Sequence, residues 1–256
     1  MAPSTLALAS VSALAIGLTL GLIGGGGSVL TVPVFAYLLG YPPKVAIAMS
    51  LPVVGITSLV GAVGHWRRGN VQWRTALAFG AVAMLGSLGG AFLSRLLDGR
   101  VQLAGLGVVM TLAALSMLRS AALPDTSGAA QKPLVLIAAA GIVVGMLTGL
   151  VGIGGGFLIV PALVLLGGVP MKQAIGTSLA VITMNALSGF VGYLGTVALD
   201  WNVMALFAAV AAGGILAGTS LAARVSVAQL KHGFAFFLLA VAAFILYKNR
   251  SLLTGR

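Results

Sequence analysis

Apolar residues run through this chain in long stretches separated by short polar ones, with neither the strict alternation of a half-buried strand nor the narrow apolar stripe of a soluble helix. Runs near 43–64, 72–94, 101–119, 171–195, 201–223 and 229–247 come close to or exceed the roughly 20 residues a helix needs to cross a bilayer. Two other runs, 5–39 and 133–167, are longer, and each is interrupted by glycines: Gly24, Gly25, Gly26 and Gly27 in the first, Gly152, Gly154, Gly155 and Gly156 in the second. As one helix the run 5–39 would be about 52 Å long, against a hydrocarbon core of about 30 Å. A break at the glycines is therefore predicted, followed by a short limb, Ser28–Leu39, of about 18 Å.

Composition agrees with that pattern. The chain has 256 residues, of which 60% are hydrophobic and 7% charged, and its mean hydropathy is +1.16, which together define an all-α integral membrane protein and exclude a soluble domain. The formal charge of +11 is spread over short loops instead of forming a basic cluster. It reads as topology signals and contacts to membrane lipids, with no nucleic-acid partner. The absence of cysteine removes disulfides and thiolate metal sites. The first apolar run continues past any signal-peptide core and has no basic residue before it, so it is read as a first helix and not as a cleaved leader.

The two glycine-broken runs are copies. Shifting the sequence by 128 residues lays GLIGGGGSVLTVP (Gly21–Pro33) on GLVGIGGGFLIVP (Gly149–Pro161) without a gap, and positions 21–51 carry 16 identities in 31. These include Pro33/Pro161, Lys44/Lys172 and Ser50/Ser178, which a shared richness in glycine would not produce. The expected organisation is a first transmembrane repeat over 1–120, a polar linker over 121–132 and a second repeat over 133–256. Each repeat contains one broken segment and three spans. If the broken segment is re-entrant, each repeat crosses three times and the second lies inverted; if it crosses, the repeats run parallel. Lys and Arg divide 8 to 5 between the two sides in the re-entrant case and 7 to 6 in the crossing case, a bias too slight to fix orientation. The inverted reading is favoured by analogy with transporters that place broken helices at a repeat interface.

A helix break inside a bilayer leaves backbone groups that need partners. Glycine gives bare backbone and access to positive φ, and a helix starting just after the break adds the positive end of its dipole, so together they can hold an anion without a charged side chain. Gly24–Ser28 and Gly152–Gly156 are the candidate loops, with Pro33 and Pro161 as structural residues of the short limbs. Hydroxyl and amide groups downstream, namely Ser50, Thr177, Ser178 and Asn185, are candidate donors. Lys44 and Lys172 fit snorkelling at a span start. His65 and Trp66, next to Arg67 and Arg68, fit an interfacial anchor, and Tyr193 replaces His65 in the second copy.

The acids Asp98, Asp125 and Asp200 all fall in predicted loops, which disfavours coupling through a buried carboxylate. The glycine run lacks the following Lys-Ser/Thr of a nucleotide loop, and two distant histidines make no metal site. Neither catalytic residues nor a cofactor are expected, and the chain does not read as an enzyme.

The duplicated pattern G-x-x-G-x-G-G-x-x-x-x-V-P is filled by Gly21, Gly24, Gly26, Gly27, Val32 and Pro33, and again by Gly149, Gly152, Gly154, Gly155, Val160 and Pro161. With the following Ala46–Ser50 and Ala174–Ser178, it resembles the sulfite exporter TauE/SafE family over essentially the whole chain. The resemblance implies a multi-pass permease of the bacterial inner membrane with about eight hydrophobic segments, handling sulfite, sulfonates or related small oxyanions, and leaves direction open. It carries a binding role to the glycine motifs and to Ser50, Thr177 and Ser178, whereas Asn185 rests on its burial cost. Met49 opposite Thr177 makes the two half-sites chemically unequal. The expected function is secondary transport of a small anionic substrate, with a membrane assembly protein or an anion channel as the other readings and a homo-oligomer left open.

Overall fold

The structure, a computed structural model, describes residues 3–120, 134–152, 155–165, 167–221 and 227–249. The described residues form helices, with no strand among them. The long helices are α1 (Pro3–Ile23), α3 (Pro43–Trp66), α4 (Trp73–Ser94), α5 (Gly99–Ser120), α6 (Leu134–Val151), α8 (Met171–Tyr193), α9 (Trp201–Leu221) and α10 (Val227–Lys248). Between α1 and α3 lies a limb made of a 3-10 helix (Gly25–Leu30), the single turn α2 (Thr31–Pro33) and a π turn (Val34–Leu38). Its counterpart after α6 is the regular helix α7 (Gly156–Leu165). Among the described residues, α3, α4, α8 and α9 are each long and apolar enough to cross a membrane, and shorter apolar helices accompany them. The whole of the proposed linker 121–132 and the site glycine Gly154 lie outside the described residues.

Helix ends follow local chemistry. Pro42 and Pro170 set extended backbone immediately before α3 and α8, and Pro43 occupies the first position of α3, where its missing N–H costs nothing. Asp200 caps α9: its side chain accepts the Val203 N–H at 3.1 Å and its carbonyl accepts that of Met204 at 3.0 Å. The expected break in the first run is narrower than its four glycines suggest. Only Gly24 takes positive φ, at 77°, and helical backbone resumes at Gly25. The second break is wider, with Gly152 at 77° and Gly155 at 70°.

Small residues let the helices approach backbone to backbone, the usual basis of association in lipid. A Cβ on Gly17 would collide with the Ala211 carbonyl, and one on Gly21 would collide with Ile215 and Thr219, so α1 and α9 run parallel. Gly145 meets Ala83, and Gly149 meets Ser87 and Ala91, in the same way, so α6 and α4 also run parallel. Gly55 faces Ala186 and Leu187 while Gly61 faces Leu179, which makes α3 and α8 antiparallel. The first two sets of contacts correspond under the 128-residue shift: Gly17 to Gly145, Gly21 to Gly149, Ala83 to Ala211, Ser87 to Ile215 and Ala91 to Thr219.

With α9 as a ruler, the course of the first broken segment can be followed. Gly21 lies beside Ile215 and Thr219, the ring of Phe35 is 4.9 Å from that of Phe207, and the Tyr41 hydroxyl donates to Asp200 Oδ2 at 2.9 Å. The chain ascends through α1, turns at Gly24 and comes back down, so that α3 starts from the end of the bundle where α1 began. The segment therefore does not continue α1 in a straight line.

Candidate substrate site at the two glycine breaks

Each break is seated on the opposite half of the chain. A Cβ on Gly24 would lie 3.1 Å from Ile175 Cγ2 and 3.3 Å from Ser178 Oγ; one on Gly152 would lie 2.8 Å from Ile47 Cγ2 and 2.9 Å from Ser50 Oγ. The two breaks then meet, because a Cβ on Gly25 would overlap the backbone of Gly156 and one on Gly156 would overlap that of Gly25. Only glycine allows this approach. Gly25, Gly26, Gly27, Ser28, Gly152, Gly155 and Gly156 are all buried, so the breaks lie inside the protein and not against lipid, as backbone departing from a regular helix at membrane depth requires.

The carbonyls at the breaks have partners. Ser50 Oγ donates to Gly152 O at 2.8 Å and lies 2.7 Å from Ile47 O. Ser28 Oγ donates to Gly25 O at 2.7 Å, and Gly155 O accepts the N–H groups of Leu158 and Ile159, each at 3.0 Å. N–H groups opening a helix have no carbonyl one turn earlier in that helix, so the start of α7 at Gly156 presents donors and a positive dipole end at the contact with Gly25.

The remaining candidates divide into two groups. Ser178 Oγ donates to Ile175 O at 2.7 Å, within its own turn but beside Gly24. Asn185 Nδ2 donates to Thr148 Oγ1 at 2.9 Å next to Gly155, and its Oδ1 is buried without a partner among the described residues. Both thus belong to the breaks. Thr177 instead faces the turn after α3, where its Oγ1 accepts the Gln72 N–H at 3.0 Å. Pro33 is buried at the end of α2, and a π turn follows it. Pro161 lies within α7.

Two features escaped the sequence reading. Tyr41 ties the return limb to α9 through Asp200, and burial together with that carboxylate pushes the Tyr41 hydroxyl up to about 12. His65 is no interfacial anchor: Trp66, Arg67 and Arg68 are exposed, but His65 is 7% exposed and neither ring nitrogen has a partner among the described residues. The helical phase of α3 was the available signal, since one turn back Gly61 faces Leu179 and Ile215.

Comparison with known proteins decides the family. The sulfite exporter TauE/SafE family model matches residues 9–245. The chain belongs to the TauE/SafE family. It is 34% identical over 242 residues to a probable membrane transporter protein of Xylella fastidiosa, covering 91% of this chain and 92% of that one. A probable membrane transporter protein of Haemophilus influenzae is 31% identical over 252 residues, covering 91% and 94%. One from Methanocaldococcus jannaschii is 29% identical over 187 residues, covering 70% and 68%. No solved structure matches. As a TauE/SafE protein with several membrane-length apolar helices, the chain is a multi-pass membrane transporter and not an enzyme.

Proposed function

We propose that this TauE/SafE protein is a secondary transporter of small sulfur oxyanions, such as sulfite or organosulfonates, across the bacterial inner membrane, and that the anion is held at the two glycine breaks. The observation that carries the reading is their reciprocal seating: Gly24 on Ile175 and Ser178, Gly152 on Ile47 and Ser50, and Gly25 on Gly156. Gly24, Gly25, Gly152 and Gly156 thus lie against the other half of the chain, while Gly27 and Gly155 pack on their own. A relative movement of the halves therefore changes the binding surface, which is what alternating access requires.

The halves act as inverted repeats over 1–120 and 133–256, joined by the linker 121–132. The antiparallel course of the corresponding helices α3 and α8, the 128-residue correspondence of the glycine contacts, and the return of the first limb to its starting side all support this arrangement. With the halves parted, N–H groups of Gly24–Ser28 and Gly152–Gly156 supply donors, and Ser50, Ser178 and Asn185 complete the lining. Thr177 supports the site from the far side of α8.

Ligand that binds only the folded protein raises its apparent stability. The purified protein in detergent is expected to melt at higher temperature with sulfite, thiosulfate or sulfoacetate and to be unmoved by matched chloride. Stabilisation by carboxylates alone, with no response to any sulfur oxyanion, would overturn the substrate class.

A further inference from the structure

The α3 terminus carries a group for which the anion site has no use. His65 is 7% exposed, and both ring nitrogens lack partners among the described residues, although a buried unpaired polar group is costly. Its counterpart Tyr193 is 3% exposed, but its hydroxyl donates to Leu150 O at 3.4 Å. The unpaired group is thus peculiar to the first half.

Its neighbourhood is polar and next to the first break. A Cβ on Gly176 of α8 would lie 2.9 Å from His65 Cβ and would overlap Asn70 O. The adjacent residue Ile175, together with Ser178, seats Gly24. His65 and the break therefore contact α8 within one turn of each other. Around it, Gln72 Nε2 donates to Gln173 Oε1 at 2.6 Å and Thr177 accepts the Gln72 N–H. The charged group facing His65 is Arg68, which donates to Thr219 O of α9 at 3.1 Å. From α8 the groups facing this end of α3 are Gly176, Thr177 and Gln173, and from α9 Ile215 and Thr219, none of which titrates. No Asp or Glu lies within a described helix of membrane length, and the side chain of the other histidine, His232, lies outside the described residues.

We propose that His65 is the proton-carrying residue of this transporter and makes it a proton–anion symporter. The inference rests on the reading of the glycine breaks as the anion site. The proton comes from water on the side where the anion enters, binds a ring nitrogen, and returns to water where the anion leaves. An imidazolium enclosed beside Arg68 lacks a counter-charge. An anion in the adjacent break supplies one, so proton and anion bind each other's state more tightly than either binds alone. This is the role a buried carboxylate would otherwise fill, given to the switch residue of neutral pH.

The test uses the full chain in proteoliposomes with the membrane potential clamped. The probes are thiosulfate and sulfoacetate, which do not titrate between pH 6 and 8. With the outside one pH unit more acid, the wild type is expected to accumulate probe about ten-fold, the ratio equivalent to one pH unit. His65→Gln, and His65→Tyr chosen to match the counterpart Tyr193, should keep counterflow exchange between equal pools and lose the accumulation. Accumulation by either variant equal to wild type would overturn the proposal and leave the anion site standing. Loss of exchange in both variants, with unchanged melting temperature, would also overturn it, by making His65 a binding group. Absence of saturable flux of any sulfur oxyanion in the wild type would remove the anion-site reading, and the inference with it.

Discussion

Ser50 and Ser178 correspond in sequence but do different work. Ser50 Oγ bridges to Gly152 O in the other half, whereas the bond of Ser178 stays within its own turn. Removing the first hydroxyl leaves a buried carbonyl unsatisfied, so Ser50→Ala should cost about 1–3 kcal/mol of stability. Ser178→Ala removes only a local back-bond and should cost well under that. Thermal melting of the two variants in one detergent checks the order; equal losses would refute the bridging role. Ser50, Ser178 and the glycines were legible in the sequence because they recur at one offset. The bond from Ser50 to Gly152 was not, because it joins residues 102 apart in sequence. Nor was the burial of His65, whose exposed neighbours Trp66, Arg67 and Arg68 dominate the local pattern.

Helix boundaries of the unbroken spans agree with the sequence reading to within a few residues, since length and hydropathy decide them: 43–64 becomes Pro43–Trp66 and 72–94 becomes Trp73–Ser94. The limbs were less legible. Their geometry depends on the close approach of Gly25 to Gly156, a contact between distant elements. Substitution separates the two kinds of glycine. Gly25→Ala puts a methyl group into the Gly156 backbone and should destabilise by about 1–3 kcal/mol or more. A Cβ on Gly64 of α3 would meet nothing within 4 Å, so Gly64→Ala should stabilise by about 0.5–1 kcal/mol through helix entropy. Calorimetry or a fluorescence melt reads both, and a tolerated Gly25→Ala would contradict the packing of the limbs. The return limb is also anchored by Tyr41. Because folding holds its hydroxyl at about 12 against an ordinary 10.0, the stabilisation is complete below pH 10 and disappears as pH rises from 10 to 12. Phenolate absorbance should therefore show a late-titrating component whose amplitude Tyr41→Phe lowers by one tyrosine's share; an unchanged late amplitude would refute the shift at Tyr41.

At the scale of the whole molecule, α1 lies along α9 and α6 along α4, with α3 and α8 crossing antiparallel between them. Each half therefore encloses part of the other, and the two breaks meet where they interlock. The copies were visible in the sequence through the 128-residue shift, but the near-even distribution of Lys and Arg gave no direction to either of them. The inverted direction proposed for them rests on three-dimensional contacts, above all the descent from Gly21 to Phe35 and Tyr41 along α9. We propose that this interlocked pair moves a sulfur oxyanion by alternating access. The most direct measurement of this is counterflow: proteoliposomes loaded with unlabelled sulfite, diluted into a trace of labelled sulfite. A transient overshoot of label is expected that saturates with sulfite concentration and is lost when the lumen is loaded with chloride. Label that enters linearly with concentration and without overshoot, or does not enter at all, would contradict it.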